Sequence, residues 1–245
     1  RRVWHALDAA PRAGLRGGGD KQPARGLYTL EVDYDAQPDA ADAQELELVG
    51  GHDGLATCFW PAATPLATLL SSLQLDGVSV HEIGAGTGLC SLAAAARGAT
   101  VLSTDVEPLS LCLLRRAAAE QSLRIDTALY DARAAASPLP LIRARAADLL
   151  LISDCFVTPG LAAALGARVA EALEQRTTVI VVDPHRPTRG DFVGALLRHG
   201  VAPRRAQFGE IQIGGTSAAL REIVPGASEL HLFETNVGVP VFYEI

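Results

Sequence analysis

With 245 residues, 49% hydrophobic side chains, 5% aromatics and a formal net charge of −7, the chain has the length and apolar content for one large domain. The composition excludes the disordered and fibrous classes. No apolar run approaches the roughly 20 residues of a membrane span, and the negative balance argues against nucleic acid as the main partner.

The first 26 residues hold Arg1, Arg2, Arg12, Arg16, Lys21 and Arg25 against Asp8 and Asp20, and Met is absent even from position 1. This reads as a trimmed N-terminus and a flexible basic tail, residues 1–26, with an organelle-targeting remnant as the alternative. A single domain is then expected over residues 27–245. "LYTLEVDY" alternates with period two, as a half-buried strand does, and "QELELVGG" is a second strand candidate. Together they predict a short N-terminal hairpin over residues 27–50. Residues 31–47 carry seven carboxylates and no basic residue. A solvated face is the plain reading of that run, and a platform for a basic substrate is the functional one.

"FWPAATPLATLLSSLQL" predicts a helix entered through Pro61 or Pro65. From there strands and helices alternate: "GVSVHEI", "ATVLSTD", "RIDTALYD", "DLLLISD" and "TTVIVVD" are strands. "GLCSLAAAARG", "PLSLCLLRRAAAEQ", "PGLAAALGARVAEALEQ" and "RGDFVGALLRHG" are helices. Uniformly apolar strands between helices imply a parallel sheet covered on both faces. Right-handed crossovers make the expected fold a doubly wound, Rossmann-like α/β domain, with a mostly parallel seven-stranded sheet. "ELHLFETNVGVPVFYEI" reads as two extended runs around Asn236–Gly238, an antiparallel C-terminal edge.

Cys58, Cys90, Cys112 and Cys155 form no C-x-x-C pair and have no histidine at metal-ligand spacing. They predict buried reduced thiols in an intracellular compartment, and no metal site. Glu82, Asp105, Asp131, Asp154 and Asp183 each close a strand. Any one of them suits a cap, but five in register point to a shared site at the carboxyl edge of the sheet.

The loop "HEIGAGTGLC" carries Gly84-x-Gly86-x-Gly88 with Glu82 just upstream. A dinucleotide fingerprint places its third glycine one residue later, and a carboxylate is an awkward neighbour for a pyrophosphate. E-x-G-x-G-x-G resembles the first motif of the Rossmann-like S-adenosylmethionine-dependent methyltransferases, whose cofactor carries a sulfonium and no phosphate. A nicotinamide-dependent oxidoreductase is the alternative for the loop alone. "FWPAATPLATLL", "LLLISDCFVTPGLAAAL" and "VIVVDPHRPTRGDF" narrow the resemblance to the lysine methyltransferase-like family, and within it to the branch acting on the electron-transfer-flavoprotein β-subunit. The likeness covers residues 28–245.

The resemblance implies S-adenosyl-L-methionine as cofactor and a protein presenting a lysine as partner. It sets Trp60 against the cofactor, Gly84, Ala85, Gly86 and Gly88 around its methionine part, Glu82 among the cofactor-binding residues, and Asp105 and Val106 at the ribose. Tyr130 or Asp131 would lie beside the adenine, Ser153 beside the transferred methyl, and Asp154 at the acceptor amine as the catalytic residue. His185 and Arg186 would face the substrate, although an ordinary loop role suits both. One departure stands out. Family members carry an aromatic three residues after this aspartate, where this chain has Asp154-Cys155-Phe156-Val157. A small-molecule N- or O-methyltransferase and a cofactor-binding regulatory protein without catalysis are therefore the alternatives.

Overall fold

The computed structural model describes residues 2–7, 26–31, 60–184, 186–201, 206–211 and 228–235. Strands β1 (Arg2–Leu7) and β2 (Gly26–Glu31) pair antiparallel in a small sheet of their own, with Arg2 opposite Glu31 and Leu7 opposite Gly26. This corrects the expected N-terminal arrangement. The run that begins at Gly26 finds its partner inside the basic tail, where Val3 and Trp4 are good strand formers. The other proposed partner, residues 44–51, lies outside the described residues.

The main body follows in alternation: α1 (Ala63–Ser72), β3 (Ser79–Ile83), α2 (Leu89–Ala96), β4 (Thr100–Asp105), α3 (Pro108–Glu120), β5 (Ile125–Leu129) and β6 (Leu149–Ser153). Then come α4 (Pro159–Glu174), β7 (Thr178–Pro184), α5 (Arg189–Arg198), β8 (Ala206–Ile211) and β9 (Leu230–Thr235). The helix starts are written locally. Proline opens α3 and α4, and the side chains of Glu107 and Thr158 accept the N–H groups of Leu109 and Leu161, both at 3.2 Å.

The strands lie in the order β5-β4-β3-β6-β7-β9-β8, and every described pair is parallel. Leu230–Thr235, the first of the two runs expected to form an antiparallel edge, is parallel to both of its neighbours. The second run lies outside the described residues. Alternation along β6 and β7 divides the core. Leu149, Leu151, Ile180 and Val182 face Leu66, Leu69 and Leu70 of α1 and Ala93 of α2. Leu150, Ile152, Val179 and Val181 face Leu165 and Val169 of α4 and Phe192 and Leu196 of α5. Helices therefore cover both faces, as a doubly wound sheet requires.

The β5–β6 connection, residues 130–148, holds no helix. It covers the sheet with side chains alone: Ile142 and Ala147 pack on Leu102 and Ala128. Its end is pinned to β3 by Asp148, whose Oδ2 accepts both the N–H and the hydroxyl of Ser79, at 2.8 and 2.7 Å. The chain leaves β3 outward to β4 and β5, then returns to β6 on β3's other side. That reversal opens a crevice at the carboxyl ends of β3 and β6, the place where ligands bind in such sheets. Among the described residues, no helix is long and apolar enough to cross a membrane.

Candidate functional site

The glycine loop runs from the end of β3 to the start of α2. Gly84, Gly86 and Gly88 all take positive φ, at 68°, 52° and 84°. Space as well as conformation demands glycine at two of them. A Cβ on Gly84 would sit 2.5 Å from Cys155 Sγ, and one on Gly88 would overlap the Leu114 side chain. The N–H groups of Gly84 and Ala85 donate to the Thr104 carbonyl at 2.8 and 3.0 Å, which lays the loop across the end of β4.

Asp105, the last residue of β4, is buried against this loop. Its Oδ2 accepts the Gly86 N–H at 2.8 Å and its Oδ1 accepts the Glu107 N–H at 3.0 Å. Burial raises its pKa, while those backbone donors oppose the rise. Each carboxylate oxygen keeps a second lone pair for a ligand hydroxyl. Val106 beyond it is 47% exposed, and Leu129, which pairs with Asp105 across β4 and β5, is 42% exposed. Two apolar side chains thus flank the acid at the surface.

Glu82 lies deeper. It is buried, and its Oε2 accepts both the N–H of Ser91, at 2.9 Å, and the Ser91 hydroxyl. The Ser91 hydroxyl in turn meets that of Ser103 at 2.5 Å. Burial pushes the Glu82 carboxyl up to about 7 against the pull of these bonds. Tyr130 is also buried, with its ring edge-on to His81 at 6.3 Å, so it lies under the site floor. The Asp131 carboxylate is held by Arg133 through Nε and Nη2, each at 2.9 Å, which lowers its pKa.

On the other side of the crevice, Asp154 follows β6 in the left-handed conformation, φ 59°, with its N–H on the Val182 carbonyl at 2.9 Å. For a non-glycine residue this is a strained placement, of the kind functional positions use. Its Oδ2 accepts the Ala62 N–H at 3.2 Å. Its Oδ1 takes Arg186 Nη2 in a close ion pair, and Arg186 Nη1 donates to the Asp154 carbonyl at 3.2 Å. The guanidinium also lies over the Trp60 ring, 5.5 Å from its centroid. Three segments singled out separately in the sequence, around Trp60, Asp154 and Arg186, therefore meet in one cluster. Burial raises the Asp154 pKa, opposed by Arg186 and the Ala62 N–H.

Ser153 is buried at the end of β6. Phe156 does not take the place of the missing aromatic. It is fully buried, its ring 4.6 Å from that of Phe192, while Val157 at the expected position is 44% exposed. His185 lies outside the described residues.

Asp183, at the end of β7, was legible only as a strand-closing acid. It is 3% exposed, with Oδ2 accepting the Phe156 N–H at 3.1 Å, and burial pushes it up to about 7. Cys155 lies against the Gly84 backbone, and burial raises its pKa well above the thiol range, reinforced by Asp105, Asp183, Asp154 and Glu82. Those four carboxylates come from four neighbouring strands of the sheet. Ala62 and Leu129 carried no signal in the sequence, since a backbone N–H and an exposed leucine announce nothing before the fold is known. Cys90, Cys112 and Cys155 are free thiols, and the described residues hold no cluster of three potential metal ligands.

A family model described as lysine methyltransferase matches residues 41–196. Among curated proteins, protein N-lysine methyltransferase METTL21A of Danio rerio is 46% identical over 57 residues, which is 22% of this chain and 26% of that protein. The chain thus matches about a quarter of that relative's length. Among solved structures, a TehB-like SAM-dependent methyltransferase from Corynebacterium glutamicum is 16% identical. That likeness covers 65% of this chain and 79% of the other, with a TM-score of 0.42.

Proposed function

Because the chain belongs to the lysine methyltransferase family, we propose that it methylates a lysine side chain of a partner protein, using S-adenosyl-L-methionine. The observation that carries this reading is the meeting, at one edge of the sheet, of the Asp105–Gly86 loop contact with the Asp154–Arg186–Trp60 cluster. A crevice whose Arg186 is already engaged by Asp154 disfavours a phosphate and leaves room for a sulfonium cofactor. When bound, the cofactor supplies a methyl group already activated on a sulfonium.

The chain's own residues then have holding and aligning work. Gly84, Ala85 and Gly86 let the backbone approach the methionine part, with Gly88 opening α2 and Glu82 bracing the loop from below. Asp105 takes the ribose hydroxyls on its remaining lone pairs, and Val106 and Leu129 offer apolar surface to the adenine. Asp131 borders that surface, and Tyr130 supports it from beneath. Trp60 walls the cofactor, Ser153 lines the transfer point, and Asp154 orients the acceptor amine. Arg186, paired with Asp154, belongs to the acceptor side, and His185 precedes it in sequence. Alignment of this kind is worth roughly 7–11 kcal/mol. Free thiols fit an intracellular compartment.

The lysine must arrive without its proton. From an ordinary pKa of about 10.4, neutrality at pH 7 costs about 4.6 kcal/mol. A second reading, cofactor binding without transfer, is favoured by exposed Val157 at the position where the family resemblance implies an aromatic.

One experiment separates the two. The protein is incubated with methyl-labelled S-adenosyl-L-methionine and a protein extract, and the label is traced by amino-acid analysis. Methylated lysine supports transfer. Cofactor binding that Asp105→Ala abolishes, with no acceptor labelled, supports the second reading, and label in small molecules alone sinks the lysine assignment.

A further inference from the structure

Asp154 has a property that an amine-orienting carboxylate would not have on its own. Both of its oxygens are engaged, Oδ1 by Arg186 and Oδ2 by the Ala62 N–H. Arg186 is 8% exposed, so its guanidinium is withdrawn from solvent and held by three contacts: the carboxylate, the Asp154 carbonyl and the Trp60 face. An ion pair buried this way leaves little net charge at its mouth. A bare carboxylate in the same place would hold a lysine as its ammonium, which cannot attack a methyl group.

We propose that Arg186 is a positioning residue of the transfer site: by cancelling the Asp154 charge, it lets the crevice take the acceptor amine without its proton. This rests on the lysine reading above. The transfer itself then balances simply. The ammonium proton leaves to solvent first, the nitrogen lone pair forms the N–C bond, and the C–S bond breaks with its pair passing to sulfur. Arg186 contacts Asp154 directly, and its charge also reaches Asp183.

Among the described residues, the other charged and titratable groups near the pair are few. Asp183 of β7 is coupled to Asp154, with both Arg186 and Arg189 of α5 acting on Asp183, and Cys155 follows directly in the chain. Ala62, from the segment ahead of α1, contributes its N–H. None of these replaces Arg186 as the direct counter-charge to Asp154.

The test has two independent readouts. The first is the Asp154 carboxyl titration, followed by carbon NMR in the ligand-free protein. Arg186→Gln raises its midpoint by about one unit or more, the scale of losing an adjacent opposite charge, while Arg186→Lys leaves it near the wild-type value. An unmoved midpoint in the Gln variant overturns the charge pairing.

The second is the pH profile of maximal methyl transfer into lysine, with a saturating protein extract as acceptor. Its acid limb reports the bound amine. In Arg186→Gln the limb moves up by about one unit, because the uncancelled carboxylate stabilises the ammonium; Arg186→Lys keeps the limb in place. A lower rate with an unmoved limb shows a merely structural arginine and overturns the proposal. Should the Gln variant fail to fold, Asp154→Asn reads the same balance from the other side, and its limb moves to lower pH. Wild-type protein that labels no lysine at any pH brings down the lysine reading itself, while the NMR titration still decides the Arg186–Asp154 pairing.

Discussion

The Asp105 carboxylate accepts the backbone N–H of Gly86 at 2.8 Å, so the acid that ends β4 and the loop that follows β3 form one unit. Losing the side chain would free the loop as well as remove the contact with a ligand. Asp105→Ala is expected to weaken S-adenosyl-L-methionine binding by about 10- to 100-fold, the scale of a hydrogen bond to a charged group at 1.5–3 kcal/mol. Isothermal titration calorimetry measures it, and unchanged affinity would remove Asp105 from the site.

Gly88 combines a φ of 84° with a Cβ position already filled by Leu114. Gly88→Ala should cost about 2–5 kcal/mol, the sum of a left-handed alanine and an overpacked core. Adding Leu114→Ala removes the overlap but opens a cavity in the core. The double variant should therefore be more stable than the two single losses would sum to, as denaturant unfolding would show.

The buried Glu82 predicts a pH dependence. Its folded value is about 7 against an ordinary 4.5, so the folded state holds a proton that the unfolded chain has released. Its contribution to stability is therefore greatest below about pH 4.5 and falls as the pH rises to about 7. Buried His81, lowered to about 4, works in the opposite direction between pH 4 and 6.5. A difference measurement separates them. The stability of wild type relative to Glu82→Gln should drop between pH 5 and pH 7.5 in urea titrations, and a constant difference would contradict it.

Phe156 and Val157 should respond oppositely. Phe156→Ala empties a site against Phe192 and is expected to cost about 3–5 kcal/mol. Val157→Phe adds an aromatic at an exposed position, so the melting temperature should hardly move. If the missing aromatic limits the acceptor step, the same variant raises labelling of lysine. Equal stability losses in both would contradict the burial assignment.

These pairs also show what could be read before the fold was known. The elements from α1 to α5 follow from period and punctuation, because residues such as Leu149 to Ile152 and Pro159 carry their meaning locally. The grouping of strand-end acids was legible for the same reason, since Glu82, Asp105, Asp154 and Asp183 share one edge by topology. Arg186 over Trp60 was not. That contact joins positions 126 residues apart through a long side chain whose direction no local pattern specifies. The partner of β2 escaped for a related reason, because antiparallel pairing across the intervening chain leaves no periodic trace. Phe156 shows the limit of motif comparison: it stands one position before the expected aromatic, and packing put it in the core.

Glu82 has a consequence for which ligands the fold can refuse. Ser91 is the third residue of α2, and Gly88, which caps that helix, has no side chain to satisfy its first-turn donors. Glu82 reaches across from β3 and supplies the missing acceptor. The helix end that greets a pyrophosphate in dinucleotide enzymes here has a first-turn N–H already taken by a buried carboxyl group of the chain itself. That N–H is thereby unavailable to a phosphate oxygen while the Glu82–Ser91 contact holds. A change of cofactor class in this scaffold would have to begin beneath the loop, at position 82.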